Sequence, residues 1–385
     1  MKIGIISVTK SLPWAAPDEV MLHFGAHAAD QEHEIYYSAH PALEIEPRLP
    51  ARHRNSISVV RRHAFRPARV HQFWQKHCSS FRVFERKAVD VIVVSAGSIL
   101  DAFHQPEILL YAQRTKLPLV YFCHGHSAFY EIPDRNALRD LLGRMAALVF
   151  AADGNRKDLE SQLAMDLGGA HVIRNACPFF LEQPLPWPAA DSPARFAIVA
   201  RLDAFWKGHE TLLRVLSTPI WKSRDWLLDC RGEGKDRRYI GELAAYLGIA
   251  DRVRIGGHTD DIKDVWRNNH ALMLPTKAES LSLALLEAMM CGRPVVCSDV
   301  GDLGVVVKDG ETGFLAKGSG GNDLAAAMEK FWQARAGWRE MGLRAHRISC
   351  VLVEENPAAK LLDVLTAVAG SFRDRVPAKN DARRF

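Results

Sequence analysis

The sequence predicts an α/β chain built as two doubly wound parallel sheets, one per domain. Three observations predict it. Short apolar runs alternate with helix-period segments from end to end, the pattern of parallel strands joined by crossover helices. The chain has 385 residues, beyond the roughly 250–300 at which single cores stop growing. A stretch with five prolines in nineteen residues, "CPFFLEQPLPWPAADSPAR", interrupts the alternation near the middle, and neither helix nor sheet continues through it.

The strands of the first half are "KIGIISV", "HEIYYSA", "SISVV", "VDVIVVSA", "LPLVYFCH", "ALVFAA" and "HVIRN". Helical segments fall between most of them, over 18–31, 68–87, 136–146 and 156–165. The proline-rich stretch is the expected linker, near 177–194. Beyond it the pattern restarts with "RFAIVAR", "WLLDCRG", "RVRIGG", "ALMLPT" and "PVVCSD", again separated by helices. Late helices at 324–334 and 358–369 precede the polar tail "RDRVPAKNDARRF", where fraying is expected. The expected domains are 1–185, 186–355, and a helix with its tail over 356–385 that packs back on the first domain. Two such sheets facing a central cleft would bind ligands at the carboxyl ends of their strands.

Composition narrows the function classes. Apolar residues make 48% of the chain and charged ones 25%, as in ordinary globular proteins, and no apolar run reaches the length of a membrane span. The opening "MKIGIISVTKSLPW" lacks a small-residue cleavage site and reads as a buried strand rather than a signal peptide. Seven scattered cysteines without a CxxC pair argue for a reducing compartment, with neither a disulfide framework nor a zinc site. The expected location is therefore cytoplasmic.

The net charge of +5 is local in origin. Between Arg48 and Lys87 eleven basic residues face one acid, Glu85, and so unbalanced a block suggests an anionic partner. Within it, 68–87 reads as a helix with Val70, Phe73, Trp74, Phe81 and Phe84 on one face and basic flanks. Docking on an anionic membrane surface, peripheral on its inner face, is the functional expectation. A core-facing helix with solvated arginines is the ordinary one. No nucleic-acid motif accompanies the charge.

Two motifs carry chemistry. In "IVARLDAFWKGHETLLRVL", Arg201 and Lys207 follow a strand and precede a helix, so two cations and open backbone amides converge on an anion site; a solvated loop is the alternative. In "AESLSLALLEAMMCGRPVVCSDVGD", Glu279 precedes a helix that runs from about Ser282 to Met290 and ends at Gly292, and Glu287 lies inside it. The amides of Ser282, Leu283 and Ala284 would face whatever lies between the two acids. Carboxylates suit hydroxyls, and a helix N-terminus suits phosphate. A ligand with hydroxyls at both ends and phosphate in the middle, such as a nucleotide-sugar, fits that spacing.

These segments, with "DCRGEGKDRRYIGELAAYLGIADRVRIGGHTDDIKDVWRNNHALMLPTKAES" between them and "DGETGFLAKG" after, resemble the family-4 retaining glycosyltransferases of the GT-B fold. The resemblance covers about 195–320 in detail and the first half in outline. It implies that Arg201 and Lys207 bind the donor diphosphate and Glu279 the hexose hydroxyls. It also implies that Ser280, Leu281, Ser282 and Leu283 face phosphate and sugar through their backbone, and that Glu287 holds the ribose. Gly257 and His258 would border the base, and His124 of "VYFCHGHSAFYE" would lie near the reacting sugar, with His126 a second candidate. The implied reaction moves a hexose, with retention and without metal or other cofactor, to a glycan, lipid-linked or small-molecule acceptor bound by the first domain. One segment departs from the family, which usually has a Gly-Gly turn after the first strand. Here Ala15, Ala16 and Pro17 stand in its place, so a binding subunit without activity and, further off, a sugar-nucleotide epimerase remain as alternatives.

Overall fold

The computed structural model describes residues 1–9, 16–40, 42–43, 45–49, 51–62, 80–101, 105–126, 128–188, 193–354 and 356–375. The chain divides into two compact units. The first takes Met1–Ala151, Arg156–Arg174 and the chain from Pro357; the second takes Ala152–Asn155 and Asn175–Asn356.

The first unit is built on a parallel sheet of order β3-β2-β1-β4-β5-β6-β7. Its strands are β1 Lys2–Ser7, β2 Glu34–Ala39, β3 Ile57–Arg61, β4 Val91–Ala96, β5 Leu119–Cys123, β6 Ala147–Phe150 and β7 His171–Val172. β1 pairs on both sides, Ile5 with Tyr37 and with Val93. β4 is buried at every position, which is why "VIVVSA" reads as continuous apolar sequence rather than as alternation. The helices are α1 Ala16–Asp30, α2 Arg82–Arg86, α3 Pro106–Arg114, α4 Arg135–Gly143, α5 Asp153–Leu163, whose opening residues 153–155 belong to the second unit, and, from the far end of the chain, Pro357–Arg375. Leu361, Leu365 and Ala369 of that last helix share a core with Ile3, Met21 and Phe24.

The basic block looks different from the way it reads in sequence. Of the expected helix 68–87, residues 68–79 lie outside the described residues and 82–86 form α2. Phe81 and Phe84 are not on a greasy outer face; both are fully buried and pack at a tilt against Tyr111. Arg61 pairs with Glu46. Arg62 is buried and donates through Nη2 to Ser7 O at 2.5 Å and through Nη1 to Gln105 Oε1 at 3.2 Å. Phe81, Phe84 and Arg62 thus belong to the first unit's own packing and Arg61 stays exposed, while the other apolar residues of the expected helix face, Val70, Phe73 and Trp74, lie outside the described residues. No helix among the described residues is long and apolar enough to cross a membrane.

The second unit repeats the architecture with order β10-β9-β8-β11-β12-β13. Its strands are β8 Ala194–Val199, β9 Trp226–Arg231, β10 Val253–Gly257, β11 Ala271–Leu274, β12 Val295–Ser298 and β13 Gly313–Ala316. The helices are α6 His209–Leu216, α7 Pro219–Lys222, α8 Arg237–Tyr246, α9 Ile262–Asn268, α10 Leu283–Met290, α11 Leu303–Val306, α12 Gly321–Gln333 and α13 Trp338–Glu354, after which Pro357–Arg375 is α14. The unit begins ahead of the proline-rich stretch. Arg293, 1% exposed, holds that stretch by donating to Pro186 O at 2.6 Å and Leu185 O at 3.3 Å. In both sheets the strand order reverses beside the first strand, and open α/β sheets bind ligands at the carboxyl ends of the strands flanking such a point.

Candidate active site

Beyond β8 the chain turns through Ala200–Gly208 and enters α6. Gly208 has φ +73°, and a Cβ there would stand 1.9 Å from Pro275 O, so only glycine lets the turn press against the end of β11. That contact fixes Lys207. Its Nζ lies 2.7 Å from Glu279 Oε2, with the two side chains 18% and 19% exposed. Two residues named separately from sequence thus form one partly buried ion pair. The structure places Arg201 at the surface just after β8. His209, the first residue of α6, is 1% exposed; burial pushes it down to about 4, so it is neutral beside Lys207.

The strand-to-helix turn after β11 supplies the other side. Thr276 Oγ1 donates to Trp206 O at 3.1 Å, and Lys277 N to the same oxygen at 2.9 Å. Ser280, Leu281 and Ser282 are buried. Ser282 is the N-cap of α10 in extended conformation and makes no side-chain cap bond, so the first-turn amides are not closed off by their own cap. Every residue of α10 is buried except Leu283 and Glu287. The helix ends in a Schellman turn: Arg293 N reaches Ala288 O at 2.8 Å and Gly292 N reaches Met289 O at 2.9 Å, with Gly292 at φ +76°. Glu287 is half-buried and bears on the thiols of Cys177 and Cys291, which burial pushes up to about 12.

The ends of β9 and β10 close the rim. Gly257 has φ +73° and its carbonyl accepts from Gly232 N at 3.0 Å. His258 is exposed, with its amide 3.3 Å from Glu233 Oε1.

Sequence reading missed the residues that hold the Glu279 turn. Asn155, fully buried in the first turn of α5, donates to Glu279 O at 3.1 Å and accepts from Ser280 Oγ. Asp302 N donates to Ser280 O at 2.9 Å, and Gly154 N to Asp302 Oδ1 at 3.0 Å. Asn175 Nδ2 donates to Leu281 O at 2.9 Å. No local signal marks Asn155, which lies more than a hundred residues upstream of its partners. Asp302 follows Gly301, at φ +59°, where a Cβ would stand 2.4 Å from Glu279 O.

The remaining candidates belong to the first unit. His124 follows β5, 8% exposed, with Nε2 3.0 Å from Ser95 Oγ and its ring stacked on Phe122. Burial pushes it down to about 3, so it is a neutral imidazole. His126 donates through Nε2 to Gln162 Oε1 at 2.7 Å, and burial also lowers it. Residues 10–15, which include Ala15 of the departing turn, lie outside the described residues; Ala16 and Pro17 open α1.

Two parallel-sheet Rossmann-like units in this order define the GT-B fold class. Sucrose-phosphate synthase from Thermosynechococcus elongatus superposes with a TM-score of 0.77 at 18% identity, over 96% of this chain and 99% of that one. Anabaena HepE, solved in complex with UDP, does so with a TM-score of 0.70 at 17% identity, over 95% and 100%. Within that fold, residues 193–334 match the family model described as "Glycosyl transferases group 1". The D-inositol 3-phosphate glycosyltransferase of Rhodococcus erythropolis is 34% identical over 135 residues, 34% of this chain and 30% of the relative. The protein of the same name from Streptomyces avermitilis is 36% identical over 139 residues, 36% and 30%. The match thus spans less than a third of the length of these relatives.

Proposed function

We propose that this chain is a retaining hexosyltransferase that takes its sugar from a nucleotide-sugar and works without metal or other cofactor. The observation that carries the reading is the Lys207–Glu279 pair at the open end of α10, inside the segment that matches the glycosyltransferase family model. In the proposed complex the donor diphosphate takes over Lys207, joined by Arg201 and the amides from Ser280 to Leu283. Glu279, released from Lys207, accepts from hexose hydroxyls, and Glu287 from the ribose. Gly257 and His258 border the base. Charge grows on the departing diphosphate, and donors already aimed there stabilise it most. The acceptor hydroxyl bonds to the anomeric carbon as the bond to phosphate breaks, and the leaving phosphate oxygen takes its proton on the same face. No protein nucleophile is required. His124, held neutral, lies near the reacting sugar as a hydrogen-bonding group, and the first unit binds the acceptor.

The test is a thermal-shift screen of UDP-, GDP- and ADP-sugars, followed by transfer and hydrolysis assays with and without chelator. At a hundred times its dissociation constant the right donor adds about 2.7 kcal/mol of stability. A donor that binds yet is neither transferred nor hydrolysed would favour a binding subunit. No stabilisation by any member of the panel would sink the reading.

A further inference from the structure

Away from the Lys207–Glu279 pair, α13 carries chemistry that donor binding does not use. His346 is 6% exposed, and its Nδ1 lies 2.7 Å from Met290 O. A carbonyl only accepts, so Nδ1 carries the proton and Nε2 presents its lone pair. One helical turn on, Cys350 Sγ stands 3.5 Å from that Nε2. The thiol has one proton to give, to that lone pair or to Leu181 O at 4.0 Å, so a nitrogen base stands within hydrogen-bond reach of the sulfur. Cys350 is half-buried, while the other described cysteines, Cys123, Cys177, Cys230, Cys291 and Cys297, are buried. Burial raises all five of those thiols.

The surroundings give this thiol something to act on. Ser349 Oγ donates to Leu286 O at 3.2 Å and His346 to Met290 O, so α13 grips the donor helix α10 on either side of Glu287. Cys350 Sγ also approaches Leu181 O at 4.0 Å. A group added to the sulfur has to displace His346 or the chain at Leu181.

We propose that Cys350 is a modification site that takes small disulfides, with His346 as its base. The thiol proton passes to His346 Nε2. The thiolate attacks one sulfur of the disulfide, the sulfur–sulfur bond breaks, and the other half leaves as a thiolate. Cys350 is left in a mixed disulfide, and the imidazolium returns its proton to solvent. No further oxidant is needed, since the disulfide is itself reduced.

The experiment follows thiol exchange of the folded, full chain with 5,5′-dithiobis(2-nitrobenzoate) and with glutathione disulfide, and locates the adduct by peptide mass. A Cys78→Ser background removes the one thiol outside the described residues. One thiol should react rapidly, and the rapid phase should vanish in Cys350→Ser. His346→Asn keeps an amide N–H for Met290 O but has nothing at the Nε2 position. It should slow the rapid phase about tenfold near neutral pH, the scale of losing a thiolate-stabilising neighbour. The wild-type rate alone provides a check that needs no variant. It should stay high well below pH 8, whereas an ordinary thiol slows tenfold for each pH unit below its pKa of about 8.5. An ordinary profile, adduct at another cysteine, or an unchanged rate in His346→Asn each overturns the proposal.

Discussion

The two sheets finish their strands in different materials. At the carboxyl ends of β8 to β10 the second unit is glycine and backbone. A Cβ on Gly232 would lie 2.0 Å from Ala200 O, and one on Gly234 2.4 Å from Leu202 O. Leu202 N in turn bonds Glu233 O at 2.9 Å. At the matching ends of β1 to β3 the first unit is knit by buried side chains. Asp18 accepts from Ser7 Oγ at 2.6 Å and from Tyr37 OH at 3.1 Å, while Arg62 and Gln105 bind the carbonyls of Ser7 and Val8. Burial raises Asp18 and Tyr37 and lowers Arg62. Backbone packing leaves volume and amides at a rim while fixing its shape to a fraction of an ångström. A side-chain network fills the same place and is itself a costly thing to break. The second unit's rim is therefore intolerant of any added carbon, and the first unit's intolerant of any lost partner.

The sharpest way to break that comparison is Gly232→Ala. Its φ of +136° and the contact with Ala200 O leave no relaxed position for a methyl group, so we expect a loss of about 4 kcal/mol or more, read as a collapse of the second unit's unfolding transition. A loss under about 1 kcal/mol would show that the rim yields. Next comes Lys207→Ala, expected to lower kcat by about 10²–10³, as for other charge-stabilising donors. Part of that loss comes from leaving Glu279 without its cation. Adding Glu279→Gln to Lys207→Ala should therefore cost far less than Glu279→Gln alone, and strictly additive losses in steady-state assays would uncouple the pair.

Acidification separates groups rather than rims. His270 accepts from Arg195 N at 3.0 Å and is pushed down to about 4, burial first and Arg293 second. Its folded pKa is below the unfolded 6.5, so the unfolded chain binds the extra proton between those values. Stability from this group is complete above pH 6.5 and is lost as pH falls toward 4. His209, at about 4, and His124, at about 3, act in the same direction. His270→Asn keeps an acceptor for Arg195 N without titrating, so its melting temperature should fall less steeply from pH 7 to 5 than the wild type's. Parallel slopes would remove His270 from the account. The smallest effect separates neighbours. Arg61→Ser breaks a partly exposed pair with Glu46 and should cost under about 1 kcal/mol in denaturant titration, whereas Arg62→Ser removes a buried donor and should cost several times as much.

That last contrast shows what sequence conveys and what it withholds. Strands such as "VIVVSA" and the helix from Ser282 to Gly292 are legible because local physics decides them: continuous apolar runs, an N-cap, a glycine at positive φ. Lys207 and Glu279 are legible one at a time, since each sits at the end of a recognisable strand. That they are partners, 72 residues apart, depends on Gly208 lying against Pro275, which no periodicity reports. Arg61 and Arg62 are equal as letters in a charge count, yet one faces water and the other is buried, because successive residues leaving β3 point to opposite sides. Asn155 was invisible for the same reason: its value lies wholly in tertiary contacts.

The division of the chain has a consequence for its birth on the ribosome. The first unit needs Leu361, Leu365 and Ala369 to cover Met21 and Phe24, yet residues 175–356, nearly all of the second unit, are translated in between. At about 5–20 residues per second that apolar face stays bare for roughly ten to forty seconds. The second unit holds Ala152–Asn155, made before it, while the first waits for a helix made after it. Each half is thus completed with a piece encoded outside its main stretch.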